Sequence, residues 1–212
     1  MIRIINFINV LKGKTWPNLF INNLRIILAF GFIPSGFKKI NNIPFTKIEN
    51  TGAFYDYLDA LYNTGFYYEF IDYAQVLAAL LLFSYRFSTF GAVIFLPIIL
   101  NICVFTISTD ASLTTLITTL MTLATILLLL WDLNRIQTVF KKNAVLIPEV
   151  EIKHEGIWFK AGLLLIVNTL VIYLSKIILG RHNLLSHYLL LLYMIIAIAA
   201  SIIFILKRKI RN

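Results

Sequence analysis

The stretch that decides the fold is residues 89–131, TFGAVIFLPIILNICVFTISTDASLTTLITTLMTLATILLLLW. These 43 residues contain one formal charge, Asp110. They divide around Ser108-Thr109-Asp110-Ala111-Ser112 into two apolar runs. Each run has about the twenty residues that an α-helix needs to cross a hydrocarbon core roughly 30 Å thick. A backbone in lipid must satisfy its own hydrogen bonds, so such runs read as helices. The short polar break between them reads as a tight turn joining two antiparallel spans.

Four more stretches of the same kind flank this pair. The six expected spans are residues 20–37, 67–84, 89–107, 113–131, 157–179 and 188–206. The second and third are separated only by Tyr85-Arg86-Phe87-Ser88, another tight helical hairpin. Composition agrees, because the 212 residues are 59% hydrophobic and only 14% charged. A water-soluble domain has too much surface to cover with so few polar side chains. The fold class expected is therefore all-α, a polytopic membrane protein. The 17 Phe, 10 Tyr and 3 Trp suit headgroup-level anchors at span ends.

The net charge of +9 raises the question of nucleic acid. The basic residues sit mostly at the ends of apolar runs, which is what topology selection produces, so no nucleic-acid partner is expected. With the N-terminus inside, ten Lys and Arg precede the tail on the inner side. They are Arg3, Lys12, Lys14, Arg25, Arg86, Arg135, Lys141, Lys142, Lys153 and Lys160. Lys207, Arg208, Lys209 and Arg211 bring the inner total to fourteen. The outer side holds five, namely Lys38, Lys39, Lys47, Lys176 and Arg181. This asymmetry places both termini in the cytoplasm, in the inner (cytoplasmic) membrane of a cell. The basic tail can also attract anionic lipid headgroups, which makes membrane lipids expected partners.

The segments divide accordingly. Residues 1–18 form an N-terminal interfacial segment, in which Ile4, Ile5, Phe7, Ile8 and Leu11 share a helix face before Trp16-Pro17. This stretch lacks a signal-peptide cleavage site. Residues 19–135 form a four-helix bundle, 136–156 a mixed-charge cytoplasmic linker, and 157–212 a two-helix hairpin with the basic tail. The outer loop between the first two spans carries Phe54, Tyr55, Tyr57, Leu58, Leu61, Tyr62 and Phe66 among acidic residues. It reads as a short amphipathic helix lying on the bundle or on the headgroups.

Polar residues inside spans are costly in hydrocarbon unless paired, so they mark where a site would sit. Glu69, Asp72 and Gln75 open the second span at i, i+3, i+6, on one helix face. Lys38 and Lys39 end the neighbouring first span. These groups are either ion-paired interfacial acids or an outward-facing polar mouth. Asn101, one turn beyond the helix-bending Pro97, falls at a similar depth. The fourth span carries Thr115, Thr118, Thr122 and Thr125 at spacing 3, 4, 3. That stripe is first a helix-packing seam. The candidate ligand pocket is Lys39, Glu69, Asp72, Gln75, Asn101, Thr115 and Thr118. On the inner side, Arg25 can pair with Asp132, in competition with Arg135 one turn on. This group is expected to be structural.

No self-sufficient catalytic motif is present. Cys103 stands alone, so neither a disulfide nor a redox pair is available within the chain. His154, His182 and His187 lie outside mid-span positions, which gives no bundle-bound haem and no metal-ligand spacing. No metal and no resident cofactor are expected.

Arg25-Ile-Ile-Leu-Ala-Phe-Gly31, followed by Gly36 and Lys38-Lys39, a basic turn at Arg86, and Gly91-Ala92 opening the third span, form a pattern. In it, residues 22–135 resemble the DoxX-like membrane family. The resemblance implies a four-helix membrane bundle with an acidic residue in the second span, at the place of Asp72 or Gln75. If Gln75 holds that place, a proton or redox role for the carboxylate falls away. Some members of the family resemble subunits of quinone-linked sulfur oxidoreductases. Spans five and six lie outside the resemblance and read as a docking hairpin for another membrane subunit. Three functions are therefore expected in order. The first is an accessory or scaffold subunit of a membrane complex, with other membrane subunits as partners. The second is a quinone- or lipid-associated redox subunit, for which quinone would be the cofactor. The third is a small-solute transporter.

Overall fold

The computed structural model describes residues 2–40, 51–140, 155–179 and 184–209, and these are helical apart from short turns. In chain order the helices are α1 (Ile2–Lys12), α2 (Thr15–Ile40), α3 (Ala53–Tyr62), α4 (Phe66–Phe83) and α5 (Ser88–Ser108), followed by α6 (Ser112–Trp131), α7 (Leu133–Phe140), α8 (Glu155–Ile178) and α9 (Leu184–Lys209). Six of them, α2, α4, α5, α6, α8 and α9, are long and apolar enough to cross a membrane. Each coincides with an expected span to within a few residues.

Helix α2 starts earlier than expected, at Thr15. Trp16 and Pro17 thus enter its first turn, where a proline costs nothing because that N–H has no helical acceptor. The amide of Asn18 then donates to the carbonyls of Lys12 and Lys14, both at 2.6 Å. These bonds close the end of α1 and fix the angle between α1 and α2. Only Ile5 and Ile8 of the expected α1 face are buried, while Ile4 and Phe7 are exposed together with Val10. The packed stripe of α1 is therefore Ile5, Ile8, Asn9 and Lys12, rotated from the apolar face its sequence suggests.

Helices α2, α4, α5 and α6 pack in a ring, each against the next. Across its centre Phe32 meets Phe95 edge-on, with ring centroids 4.3 Å apart. Both are almost fully buried. The α4–α5 hairpin closes tightly because Gly91 has no side chain. A Cβ there would lie 2.8 Å from the Leu82 nitrogen and 2.9 Å from the Leu81 Cβ. Tyr85 makes the turn in the left-handed region, at φ 55°. Ser84 Oγ accepts from the Phe87 N–H at 3.1 Å and helps hold it.

Six spans bring both ends of the described chain to one face of the molecule, where Arg208 donates to the Gly13 carbonyl. This face, with Arg25, Arg86, Arg135 and Lys160, is called the basic end, and the opposite face the distal end. Helix α3 lies over the distal end, as its pattern indicated, and rests on the bundle. Tyr57 and Phe54 stack on Phe105, with centroids 4.2 and 5.4 Å away, and Tyr62 meets Tyr68 edge-on at 5.4 Å. Gly65 supplies the positive φ of 60° that turns α3 into α4.

The hairpin of α8 and α9 docks on its own bundle. Gly162 makes this approach feasible, since a Cβ on it would collide with the Phe83 carbonyl oxygen. Tyr193 packs on Phe30 and Phe83, with centroids 5.2 and 5.8 Å away, and its hydroxyl bonds Thr169 at 2.6 Å. Asn23 donates to Ser201 Oγ at 3.0 Å, tying α2 to α9. The segment expected as a linker, residues 136–156, begins within a short helix. Helix α7 follows α6 after a single turn residue, Asp132, and buries Asn134 and Gln137. Its eight residues are too short for periodicity to announce a helix. Residues 141–154 and 180–183, with His154 and His182, lie outside the described residues.

Candidate functional site

Polar side chains gather at two depths. At the basic end Arg25 projects from α2 into the space between α5 and α6. Its Nη2 meets the Asp132 carboxylate at 3.0 Å, and both side chains are under 10% exposed. Thr89 Oγ1, at the start of α5, donates to the same Oδ2 at 2.7 Å. Asn22 Oδ1 accepts from Arg25 at 3.4 Å, and the guanidinium lies 5.6 Å from the Tyr85 ring centroid. Three spans and the hairpin turn thus converge on one ion pair. Asp132 can take this place because it leaves the helix at the end of α6, with its neighbour Trp131 buried beside Lys12, whose Nζ is 6.0 Å from the indole. The competition foreseen between Arg25 and Arg135 is decided by direction. Arg135 is exposed one turn further along, while Arg25 faces inward. A cavity of about 10 Å³, the size of one water, adjoins this cluster and is lined by Asn22, Arg25, Tyr85, Trp158 and Gly162. The Trp158 Nε1–H has no acceptor among the described residues.

In the distal half α4 turns Tyr68, Asp72 and Gln75 inward. Their exposures are 2%, 0% and 2%. They share a face because they recur at about one-turn intervals. Gln75 Oε1 has no hydrogen-bond donor among the described residues. Glu69 is only half-buried on the flank of this face. Sequence reasoning found Asp72 and Gln75 but did not give Tyr68 a role beyond the aromatic belt. Its position four residues before Asp72 was the available signal. Helix α2 does neighbour α4, as expected. The side chain of Lys39 lies outside the described residues.

The remaining candidates separate from this face. Thr115 and Thr118 form the seam between α5 and α6. Thr118 Oγ1 meets Thr106 Oγ1 at 2.9 Å, and Thr115 Oγ1 donates to the Thr106 carbonyl at 2.8 Å. The buried Cys103 lies 3.4 Å from Thr119 Oγ1 in the same seam. The threonine stripe is thus a packing device, and Thr122 and Thr125 extend it. Asn101 does not join Gln75, which corrects the pocket. It is exposed on the outward face of α5, beside Pro97, Leu100 and Val104. The two residues lie at comparable depth, but depth does not fix which way a helix is rotated. Among the described residues no three His, Cys, Asp or Glu side chains are grouped as metal ligands would be.

The fold and these polar layers define the class: an all-α, multi-pass membrane protein in which several intramembrane polar groups bond helix to helix. Comparison with known protein families, characterised proteins and solved structures finds no match to this chain.

Proposed function

We propose that the protein is an accessory or scaffold subunit of a membrane protein complex. It sits in the cytoplasmic membrane with both termini in the cytoplasm, as the fourteen-to-five distribution of Lys and Arg favours. The observation that carries the reading is Asn101. Its amide is exposed on an apolar helix face, about 10 Å from the distal end of α5 at 1.5 Å per residue. It makes no hydrogen bond to any described residue. An amide facing hydrocarbon is unfavourable, and in membranes asparagine side chains bond across helix interfaces. A transmembrane helix of a partner subunit with a polar group at this depth resolves the cost. The test is native electrophoresis of the full chain in a mild detergent that preserves membrane complexes. The expected result is an assembly larger than the 24.3 kDa chain that Asn101→Leu dissociates. An assembly unaffected by Asn101→Leu, or a monomer in both cases, refutes the reading.

A second reading has its own support in the buried Tyr68–Asp72–Gln75 face. A carboxyl inside a span is a functional-site hypothesis by default. With the DoxX-like resemblance it points to a quinone- or lipid-associated redox subunit. A Glu69→Ala/Asp72→Ala variant that accumulates normally should then slow quinone-dependent respiration. Unchanged respiration rules this reading out. The transporter reading draws no support from the geometry, since Asn101 faces outward and the threonines are occupied between α5 and α6.

A further inference from the structure

A groove runs between α8 and α9 at the basic end, with a volume of about 520 Å³. That is the size of small-molecule sites, roughly 300–1,000 Å³. It exists because Gly156, Ala161, Ala199 and Ala200 are small where the two helices face each other, and its walls are otherwise isoleucine and leucine. Two cations line it, Lys160 near the start of α8 and Lys207 near the end of α9. The antiparallel helices bring these lysines to the same end of the groove. Both are exposed, and neither has a hydrogen bond or ion pair with any described residue. Arg208, next in sequence, is already committed to the Gly13 carbonyl and lies 6.0 Å from the Phe204 ring. The groove therefore combines a long apolar slot in the membrane with two ammonium groups, unpaired among the described residues, where that slot meets the headgroup layer.

We propose that this groove binds one anionic phospholipid, with an acyl chain along the α8–α9 slot and the phosphate between Lys160 and Lys207. Charge complementarity selects this occupant. A zwitterionic lipid fills the slot equally well, but its own cation opposes the lysines. Basic pockets between spans near the membrane surface attract anionic headgroups in this way. The proposal is independent of the accessory-subunit reading.

The test is native mass spectrometry of the detergent-solubilised full chain, titrated with phosphatidylglycerol and with phosphatidylcholine of identical acyl chains. Two lysines near the surface should favour phosphatidylglycerol by about thirtyfold. Lys160→Gln/Lys207→Gln should bring the two lipids to equal affinity, while Lys160→Arg/Lys207→Arg should keep the preference and so exclude a folding artefact. Ala199→Phe, at an exposed position, should fill the slot and weaken both lipids alike. Equal binding by the unaltered chain overturns the proposal. So does a preference that persists in the glutamine variant or is lost in the arginine variant. Lipid binding indifferent to Ala199→Phe also overturns it, by removing the acyl chain from the groove. A second polypeptide bound in place of lipid, and released by Ala199→Phe, would assign the groove to a protein helix instead.

Discussion

Replacing Asp132 by leucine tests whether the basic-end cluster holds the ring of spans together. The substitution removes the carboxylate that meets Arg25 at 3.0 Å and accepts from Thr89 at 2.7 Å. Arg25 is 7% exposed and Asp132 is 4% exposed, so solvent screens the pair little. Breaking a buried pair from one side leaves an uncompensated charge and costs about 3–5 kcal/mol. Losing the Thr89 bond adds about 1 kcal/mol. Arg25 recovers part of this by extending toward the headgroups at the basic end. A net cost of about 3 kcal/mol remains, equivalent to roughly 6–12 °C in Tm for a chain of 150–250 residues. Replacing both partners by leucine removes the stranded charge as well as the pair, so Arg25→Leu/Asp132→Leu should melt several degrees above Asp132→Leu alone. The assay is thermal unfolding in detergent, read as the fraction of monodisperse protein after heating. A single variant within about 1 °C of the unaltered chain would refute the reasoning. A double variant no better than the single would show that shape, and not charge, does the work at this position.

The docking of α8 on α4 gives a sharper contrast between two glycines of one helix. Gly162→Leu must lift α8 off the Phe83 carbonyl and should lower Tm by more than 5 °C, whereas Gly156→Ala, with nothing within 4 Å of its Cβ, should leave Tm unchanged in the same assay. The α5–α6 seam predicts a small effect. Thr118→Val keeps the volume and loses the bond to Thr106, so it should cost about 0.6 kcal/mol, visible as a shift of one to two degrees. A loss of five degrees or more would show that the seam carries more than packing.

The basic-end cluster and the distal polar face were legible to different degrees. Arg25 and Asp132 could be matched from sequence because each is a charge in the inner half of its span, and closing a ring of four spans brings the first beside the fourth. Asp72 and Gln75 were legible because they share one face of one helix. Asn101 was misassigned because its partners had to come from another helix. Helical spacing fixes angles within a helix but not the rotation of one helix about its axis relative to the next. The amphipathic α3 was readable from its aromatic and acidic alternation. Helix α7 was not, since eight residues give too few turns to display a period.

The two runs within 89–131, and the four others like them, settled the number of spans without any tertiary information. A backbone in hydrocarbon has no external hydrogen-bond partners, so length and apolarity alone compel helices. The lysine and arginine counts likewise bear on orientation through local chain ends. Which polar residues meet was decided only by the fold. In lipid every apolar face is equally well solvated, so hydrophobicity does not choose helix partners. Close approach at Gly91 and Gly162, the Arg25–Asp132–Thr89 cluster and the Tyr193 contacts make that choice. Among the described residues they also leave the outward amide of Asn101 and the lysine-lined groove between α8 and α9 exposed.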